Sequence, residues 1–580
     1  MNSRLLTQIG LLVFAIFFSS QINAQQNGLL SSNEKILFNA KIFTADVQYP
    51  YAEAIAIRGD KIVAVGNFEN IKKLVSKDAV LIDMHGGCIL PGFIDSHSHS
   101  LDGGYSLMHA NVYDSAITSA KLELYAEEVK KNETGMVGNF LVIDGINIST
   151  WSHIDELQNI FNNNEYTAQP VLLRGSDGHT AWVNKKILQL AGINKNFIDS
   201  ISASQKKYFG VDKNGEPNGF FADSGFEKVS PILPKENIDW HESGIKAIQY
   251  NNAYGITAWL DPAAGDISDE KNNYLETYKQ LSVEHKLTAH VATIVVSDPN
   301  ANAQQQVNKL FSLQKKYSSI KDVSLIGFKV FADGVIEYPT QTAAVSRPYT
   351  NTGSYGALMF DPKKFAQFVT LADKNNLLVH VHAIGDLAVT ESLNGIEAAR
   401  KINGNSGIPH TITHLQIVQP KDFARFNQLG VLASMQLLWA LGDVTTIDIV
   451  KPNISPDLYQ WQYPARSILH ANAIICCASD WPVSTANPFE SIYEAETRNG
   501  KMGVLDSTQC VPRIAMLYAY TINAAKALRQ ERFIGSLTPG KSADLILVDR
   551  DVLNVSPKVM ERSKILWTMF EGKIVYEAAH

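Results

Sequence analysis

The sequence predicts an α/β protein with a (β/α)8 barrel of the TIM type, a small β-sandwich domain built from both chain ends, and a large insertion after the first barrel strand. Three observations predict this fold class. Short apolar runs alternate with polar, helix-like stretches through the middle of the chain. Strand-like runs joined by turns occupy both ends. His99, which follows the first predicted barrel strand, and Lys329, in a later one, are separated by far more than one barrel unit of about 30 residues, so an insertion must lie between them.

Residues 1–24 are expected to form a signal peptide. Arg4 precedes an apolar stretch from Ile9 to Phe18, and small residues lead to a cleavage position near Ala24. The apolar stretch is short for a membrane span, although an uncleaved anchor is the alternative. We therefore expect an exported protein, periplasmic or secreted, with no membrane span in the mature chain.

The two chain ends, residues 25–90 and 535–580, are predicted to form one composite β-sandwich domain. Neither end has enough strands for a convincing domain alone, and the Gly-Asp and Glu-Gly turns between the apolar runs are typical of hairpins. The runs are "KILFNAKIFTA", "AEAIAIRGDKIVAVG" and "AVLIDMHGGCILPG" near the start, and "SADLILVDRD" and "ILWTMFEGKIVYEA" near the end.

Residues 91–534 are predicted to form the barrel, with the insertion at about residues 103 to 245. Loops elaborated on the C-terminal face of such a barrel usually shape the substrate pocket. Eight runs are read as barrel strands: "PGFIDSHSHS", "GITAWLDP", "LTAHVATIVV", "LIGFKVFADG", "LLVHVHAIGD", "TITHLQIV", "GVLASMQL" and "AIICCASDWP".

Composition favours a globular protein acting on small molecules. The 580 residues are 45% hydrophobic and have a formal net charge of -7, without a long Lys/Arg block. We therefore expect a small-molecule substrate and no nucleic-acid partner. Four cysteines in so long a chain do not make a disulfide framework. The sequence is compatible with a homo-oligomer.

The candidate metal-binding residues stand at or near the ends of the predicted strands. They are His97, His99, Lys329, His382, His414 and Asp480. In a strand, side chains two residues apart leave the same face, so His97 and His99 are expected to project together. Neutral imidazoles with a few carboxylates suit divalent ions such as zinc. Taken singly, a barrel histidine such as His380 is more often a packed or hydrogen-bonded core group than a ligand. Lys329 would pair with a buried acid, and Asp480 would serve as a helix N-cap.

The strings "PGFIDSHSH", "FKVFADG", "HVHAIGD", "THLQIV" and "ASDWPV" resemble the amidohydrolase superfamily. The resemblance is to its branch of metal-dependent hydrolases similar to N-substituted formamide deformylase, amidohydrolase family 3, and extends from about residue 35 to the C-terminus. It implies that His97 and His99 bind the more buried of two divalent ions, His382 and His414 the second, that Lys329 bridges both after carboxylation, and that Asp480 binds metal and acts as the base.

Charge balance supports a carboxylated Lys329, because an ammonium group would repel nearby dications whereas a carbamate is a bridging anion. A single-metal site with unmodified Lys329 is the alternative. The expected reaction is hydrolysis of a non-peptide C–N bond, amide or formamide-like, by a metal-activated hydroxide with Asp480 as catalytic base. Same-fold deaminases and lactone or ester hydrolases are the enzymatic alternatives, and a non-catalytic metal-loaded binding protein is the other.

Four further residues are predicted to line the substrate pocket: His179, Trp182, Asp223 and Trp481. The first three lie on the insertion, and Trp481 follows the predicted base. His179 could contact the substrate or polarise its carbonyl, or could simply be a loop histidine with a local hydrogen bond. Asp95 and Asp386 are expected to orient ligating imidazoles from behind, and the alternative for either residue is that it caps a loop.

Overall fold

A computed structural model of the protein describes residues 34–113, 117–235 and 237–579. The predicted signal peptide, residues 1–24, and the start of the predicted sandwich, residues 25–33, lie outside the described residues. Eight parallel strands follow one another in sequence order around a barrel, which confirms the predicted fold class. These strands are β1 (Phe93–Asp95), β2 (Ile256–Asp261), β3 (His290–Val296), β4 (Val323–Phe331), β5 (Leu378–Ala383), β6 (Thr411–His414), β7 (Leu432–Met435) and β8 (Ile475–Cys477).

The barrel closes just beyond the ends of β1 and β8. The backbone N–H of Ser96 donates to the carbonyl of Cys477 at 3.0 Å, and that of Asp480 donates to the carbonyl of His97 at 2.9 Å. Because all eight strands are parallel, their carboxyl ends meet on one face of the barrel. The predicted metal-binding residues therefore approach one another from both sides of the closure.

Strand β5 shows how the sequence pattern places histidines inside the barrel. All six of its residues are buried, as expected for a strand covered on both faces. Val379 and Val381 pack in the core between the strands and the outer helices. The alternating set, Leu378, His380 and His382, points the other way, because side chains of a strand alternate between its two faces. The barrel interior therefore receives two imidazoles from one strand.

Helices separate the strands and cover the outside of the barrel. Side chains at their N-terminal ends accept backbone hydrogen bonds, as Asn272 does from Leu275 and Asp361 from Lys363. The main helices are Ser100–Ser106, Trp240–Ala253, Asn273–Val283, Ala303–Tyr317, Pro362–Lys374, Asp386–Asn403, Pro420–Leu429, Ala465–His470, Pro488–Thr497, Arg513–Ala519 and Ile522–Ala527.

The helix Trp240–Ala253 belongs to the barrel, although it begins inside the range of 103 to 245 predicted for the insertion. It packs directly on the helix Ser100–Ser106. A Cβ atom at Gly104 would lie 1.9 Å from the carbonyl oxygen of Ser243, so only glycine allows this approach. The insertion therefore ends before residue 240.

Two sheets built from the chain ends pack against each other through an apolar cluster that includes Ile55, Ile89 and Leu545. The strand Leu545–Val548 pairs antiparallel with Cys88–Pro91, so the two ends share one sheet. In spatial order the sheets are Lys61–Gly66, Ala54–Arg58, Glu34–Phe38 and Val80–Asp83, and Lys573–Glu577, Ile565–Phe570, Leu545–Val548, Cys88–Pro91, Lys41–Phe43 and Tyr51–Ala52.

The insertion folds around a mixed six-stranded sheet with an apolar cluster on each face. One cluster contains Trp182 and Phe161, and the other contains Phe221 and Ile187. The strands, in spatial order, are Phe209–Val211, Pro217–Ala222, Thr180–Val183, Val171–Gly175, Phe140–Ile146 and Met136–Val137, and the longer helices are Ser119–Lys131, Ile154–Phe161, Lys185–Ala191 and Lys195–Ser200. The insertion thus has a core of its own.

The four cysteines are free thiols, and Cys88, Cys476 and Cys477 are buried. Cys476 and Cys477 are both 0% exposed and pack among apolar core residues. Within the described part of the chain, no helix combines the length and the apolar character that crossing a bilayer would require.

A buried ionic contact joins the barrel to the sheet shared by the chain ends. His290, at the start of β3, places Nδ1 3.1 Å from Asp322 Oδ1 and Nε2 3.0 Å from Asp544 Oδ2. Burial disfavours the charged imidazole, but the carboxylates of Asp544 and Asp322 outweigh it and raise the pKa of His290 to about 10. The imidazolium therefore stabilises the junction at neutral pH.

We expect His290→Gln to lower the free energy of unfolding by about 3 kcal/mol at pH 7, because the buried carboxylate of Asp544 loses its counter-ion and Asp322 keeps only the exposed Lys321. The folded-state pKa lies above the unfolded value of about 6.5, so this stabilisation is complete below about pH 6.5 and is lost as the pH rises to about 10. Thermal denaturation across this range should show that the variant loses less stability than the wild type.

The control is His241→Gln, because His241 pairs with Glu284 at the partly exposed surface. Its effect should stay below about 1 kcal/mol. Equal pH dependence in wild type and His290→Gln would contradict a charged His290.

Candidate metal centre and active-site cavity

The predicted metal-binding residues come together at the C-terminal end of the barrel. Asp480 Oδ1 lies 3.2 Å from His97 Nε2 and 3.4 Å from His99 Nε2, and Asp480 Oδ2 lies 3.9 Å from His414 Nδ1. The ring centroids of His382 and His414 are 4.4 Å apart. Ligand atoms of His97, His99 and Asp480 all lie within 4.8 Å of one another, which is a spacing that a metal ion can span.

His97 and His99 reach this position from a loop rather than from a strand, which differs from the sequence prediction. Strand β1 ends at Asp95, and a helix starts at Ser100. The carboxylate of Asp95 accepts hydrogen bonds from the backbone N–H of His97 and of Ser479, both at 3.1 Å. Asp95 therefore caps the two loops that present the candidate ligands, which was the alternative to an orienting contact with an imidazole ring.

Asp386 does not orient a ligating imidazole either. Its carboxylate accepts from the backbone N–H of Ser346 at 2.9 Å and from the side chain of Gln419. The contact behind the metal centre is made instead by His380, whose Nε2 lies 2.8 Å from Nδ1 of His97 in a fully buried environment. The sequence analysis treated His380 as a packed or hydrogen-bonded core histidine. The "HVH" spacing with His382 indicates that both rings point into the barrel, and it was the signal for a contact with the candidate ligands.

Two candidate ligands have left-handed backbone conformations. His414 has φ 74° and Asp480 has φ 59°. Such values are uncommon for residues other than glycine, and they concentrate at functional sites where the surrounding structure enforces them. The barrel end therefore holds both side chains in orientations that a relaxed chain would rarely adopt.

Lys329 lies on the inner side of β4 and is 1% exposed. Burial lowers the pKa of Lys329 to about 7, although the Asp480 carboxylate opposes this shift. A substantial fraction of the amine is therefore neutral near pH 7, and the neutral amine is the form that reacts with carbon dioxide.

The candidate ligand set has unpaired buried atoms that suit a divalent cation. His97 Nε2, His414 Nδ1 and Asp480 Oδ1 are buried and have no hydrogen-bond partner among the residues that the structure describes. Burial, with the nearby Lys329, lowers the pKa of His97 to about 3, so its imidazole is neutral at physiological pH. Burial would raise the pKa of Asp480, but the surrounding histidines hold it well below its usual range. Neutral imidazoles and an ionised carboxylate are ligands that zinc prefers, so the residues present fit such an ion.

These residues form the floor of a cavity of about 880 Å³ between the barrel and the insertion. This volume lies within the range of small-molecule binding sites. All six candidate metal-binding residues border it. Its walls include Arg174, Asp177 and His179 from the insertion, and Glu337, Trp439, Asp443, Tyr463 and Glu494 from the barrel.

Of the four predicted pocket residues, His179 alone borders the cavity. Its ring centroid is 5.8 Å from that of His382, and its Nδ1 lies 2.8 Å from Asp223 Oδ1. Asp223 stands behind His179 and is not among the described residues that border the cavity, so a direct contact of Asp223 with substrate stays a prediction. Its carboxylate fixes the orientation of His179.

The two predicted pocket tryptophans are buried away from the cavity. Trp182 is 0% exposed in the core of the insertion, and its Nε1 donates to the carbonyl of Asn218 at 3.0 Å. Trp481 is 2% exposed and stacks on Tyr250 with ring centroids 4.4 Å apart. Both side chains are almost fully enclosed by other protein groups, and neither borders the cavity.

Sequence reasoning missed most of the cavity wall. Trp439 stacks parallel to the imidazole of His414 with centroids 5.9 Å apart, and Glu337 accepts a hydrogen bond from Gln416 Nε2 at 3.1 Å. Both lie beyond the strand ends, where no periodic pattern indicates which way a side chain points. The one available signal was their position a few residues after an apolar run.

The chain is similar in sequence and in fold to several known proteins. A model of the amidohydrolase family matches residues 80–576. Protein LONG AFTER FAR-RED 3 of Arabidopsis thaliana is 27% identical over 93% of this chain and 91% of its own length. N-substituted formamide deformylase of Arthrobacter pascens is 24% identical over 93% of this chain and 98% of its own length. A metal-dependent hydrolase from Pyrococcus horikoshii OT3 superposes with a TM-score of 0.67 and 22% identity, covering 90% of this chain and 99% of the other. The resemblance inferred from the sequence is thereby confirmed, and the chain is an enzyme that belongs to the amidohydrolase family.

Proposed function

We propose that this enzyme hydrolyses a non-peptide C–N bond, of the amide or formamide type, in a small molecule. The observation behind the proposal is the convergence of His97, His99, Lys329, His382, His414 and Asp480 on the floor of one cavity. Similarity to N-substituted formamide deformylase over nearly the whole of both chains supports the bond type.

In this proposal two divalent ions, preferably zinc, bind at the cavity floor. His97, His99 and Asp480 would hold one ion, His382 and His414 the other, and carboxylated Lys329 would bridge them. When bound, such ions polarise a carbonyl and make hydroxide available near neutral pH. The carboxylated lysine is proposed because a substantial fraction of the Lys329 amine is neutral at pH 7, and because this amine is buried beside the other candidate ligands.

Asp480 is proposed to move the proton. Its carboxylate is ionised and faces the imidazoles of His97, His99 and His414, so it would lie close to a water held by these ligands and to an amide bound at the cavity floor. It would accept the proton of the water and then return it to the leaving nitrogen. His179 faces the same space, and since its Nδ1 is tied to Asp223, Nε2 is the nitrogen available to a substrate carbonyl.

The test combines metal analysis with substrate screening of the purified mature chain. We expect two equivalents of divalent metal per chain, hydrolysis of N-formyl and N-acyl amines, loss of activity on chelation, and recovery with zinc. Ring amines and lactones are screened in parallel, because same-fold deaminases and lactonases attack those groups. Turnover of ring amines or lactones without any amide hydrolysis would overturn the proposed bond type.

His380→Leu is expected to weaken metal binding by about 10- to 100-fold, the usual cost of removing a group that orients a ligating histidine. The 2.8 Å contact with His97 Nδ1 would be lost, so His97 could change tautomer and ring orientation. Competition with a chelator measures the effect independently of activity. His380→Gln keeps a polar partner and should restore part of the affinity. Unchanged metal affinity in His380→Leu would show that the contact only packs the core.

We also propose that the enzyme acts outside the cytoplasm, on the basis of the signal-peptide pattern in residues 1–24. Expression of the full chain in a Gram-negative host, followed by cell fractionation and N-terminal sequencing, tests this. We expect the mature protein in the periplasm or medium with cleavage near Ala24. Retention of the complete chain in the cytoplasm would contradict export.

A further inference from the structure

The walls of the active-site cavity are rich in carboxylates. Above the candidate metal ligands, the described wall residues include five acidic side chains: Asp144, Asp177, Glu337, Asp443 and Glu494. The basic groups in this part of the wall are the guanidinium of Arg174 and the imidazole of His179, which pairs with Asp223. Arg174 Nε lies 3.6 Å from Asp144 Oδ1, so these two charges largely compensate each other. Three of the other carboxylates come from the barrel and one from the insertion, and they therefore surround the space above the metal centre.

The hydrogen-bond donors to Glu337, Asp177 and Asp443 are neutral. Glu337 accepts a hydrogen bond from the amide of Gln416 at 3.1 Å. Asp177 accepts from the backbone N–H groups of His179 and Thr180, and Asp443 accepts from the backbone N–H of Thr446 at 2.9 Å. Neutral donors hold the side chains in place without cancelling their charge.

The pKa values of three wall carboxylates are raised, because burial outweighs the positive charge near them. Burial raises the pKa of Glu337 and of Asp443, and raises the pKa of Glu494 to about 7. Desolvation is the largest cause, and the positive charge of His179 near Glu337 and of Lys558 near Glu494 offsets it only in part. A cation bound among them would favour the ionised forms.

Two further observations indicate that the cavity binds a ligand and is suited to a cation. His414 Nδ1 and Asp480 Oδ1, on side chains more than nine-tenths buried, point into it without hydrogen-bond partners. Trp439 and Tyr463 form aromatic parts of the same wall, and aromatic faces attract ammonium and guanidinium groups.

We propose that the substrate carries a positively charged group, an ammonium or guanidinium, on the part of the molecule that extends from the scissile amide towards Glu337 and Asp177. This inference rests on the proposed amide hydrolysis for the position of the scissile bond. The charged wall attracts such a substrate and disfavours amides that bear a carboxylate, since like charges would meet in the cavity.

The test is a series of acetamides matched in size and different in charge. Monoacetylated diaminobutane is the cation, N-pentylacetamide the neutral analogue, and N-acetylaminobutanoate the anion. We expect kcat/KM to fall in that order, with about tenfold or more between cation and anion, which corresponds to about one partly buried charge interaction. The advantage of the cation should also shrink with rising salt.

Glu337→Gln should lower the ratio of kcat/KM for the cation over that for the neutral analogue by about threefold or more, because one wall charge is removed. The matched control is Asp457→Asn, since the Asp457 side chain is 73% exposed outside the cavity. This control should leave the ratio unchanged. Equal ratios in wild type and Glu337→Gln would overturn the assignment of Glu337.

The outcomes separate this inference from the proposed reaction. Equal hydrolysis of cationic, neutral and anionic amides would overturn the charge preference and leave amide hydrolysis standing. If no amide is hydrolysed, calorimetric binding of pentyltrimethylammonium and of pentanol to the zinc-loaded enzyme decides, because a quaternary ammonium cannot ligate zinc. Tighter binding of the ammonium compound supports a cation-selective cavity even though the proposed reaction has failed, and absence of that preference overturns it.

Discussion

Asp480→Asn should lower kcat for amide hydrolysis by about a thousandfold or more while the protein remains folded. Asparagine has nearly the shape of aspartate but cannot accept the proton of the attacking water, and positioned acid–base groups contribute about 10²- to 10⁴-fold to rates. The change also removes a charge that lies within 3.4 Å of both His97 Nε2 and His99 Nε2. Metal affinity should therefore fall as well.

The measurement is kcat at saturating zinc, with thermal denaturation to verify the fold. Asp422→Asn is the matched control, because Asp422 is equally buried but pairs with Arg425 on an outer helix. Its kcat should stay within a few-fold of wild type. If Asp480→Asn keeps more than a tenth of wild-type kcat at saturating metal, Asp480 is not the base.

Lys329→Ala is expected to lower activity by about a hundredfold or more and to reduce the bound metal, because a bridging anion would be lost. Substitution of residues that only hydrogen-bond to metal ligands already lowers metal affinity or activity by up to about a hundredfold. A short carboxylic acid such as propionate should restore part of both, because it can occupy the vacated space and supply the missing charge. Intact-mass analysis of the wild type under native conditions should show the added mass of one carbon dioxide.

Lys35→Ala is the control for this experiment. Lys35 lies in the composite sandwich, and burial lowers its pKa as well, yet it is remote from the cavity. This variant should keep its metal content and should not respond to propionate. Full metal content in Lys329→Ala would contradict a bridging role and favour a site with one ion.

The barrel could be predicted from the sequence because its strands have a strong local signature. Buried runs such as Leu378–Ala383 are short, rich in branched residues and bounded by helix-forming stretches. The parallel arrangement then places every strand end on one face, so His382 and His414 could be assigned to one site without knowledge of the loops.

The cavity wall could not be predicted in the same way. His179 and Trp182 lie three residues apart in one segment, yet His179 precedes the strand and faces the cavity while Trp182 lies within it and faces the core of the insertion. Trp481 follows Asp480 directly but turns away and packs on Tyr250. The direction of each side chain depends on tertiary packing that no local pattern records.

The sheet shared by the two chain ends has a consequence for biosynthesis. The strand Cys88–Pro91 leaves the ribosome early, but its antiparallel partner Leu545–Val548 emerges only after the whole barrel has been translated. During that interval the nascent N-terminal segment exposes an unpaired apolar edge, which is a site for aggregation or chaperone binding. The first domain to be synthesised is therefore the last to be completed.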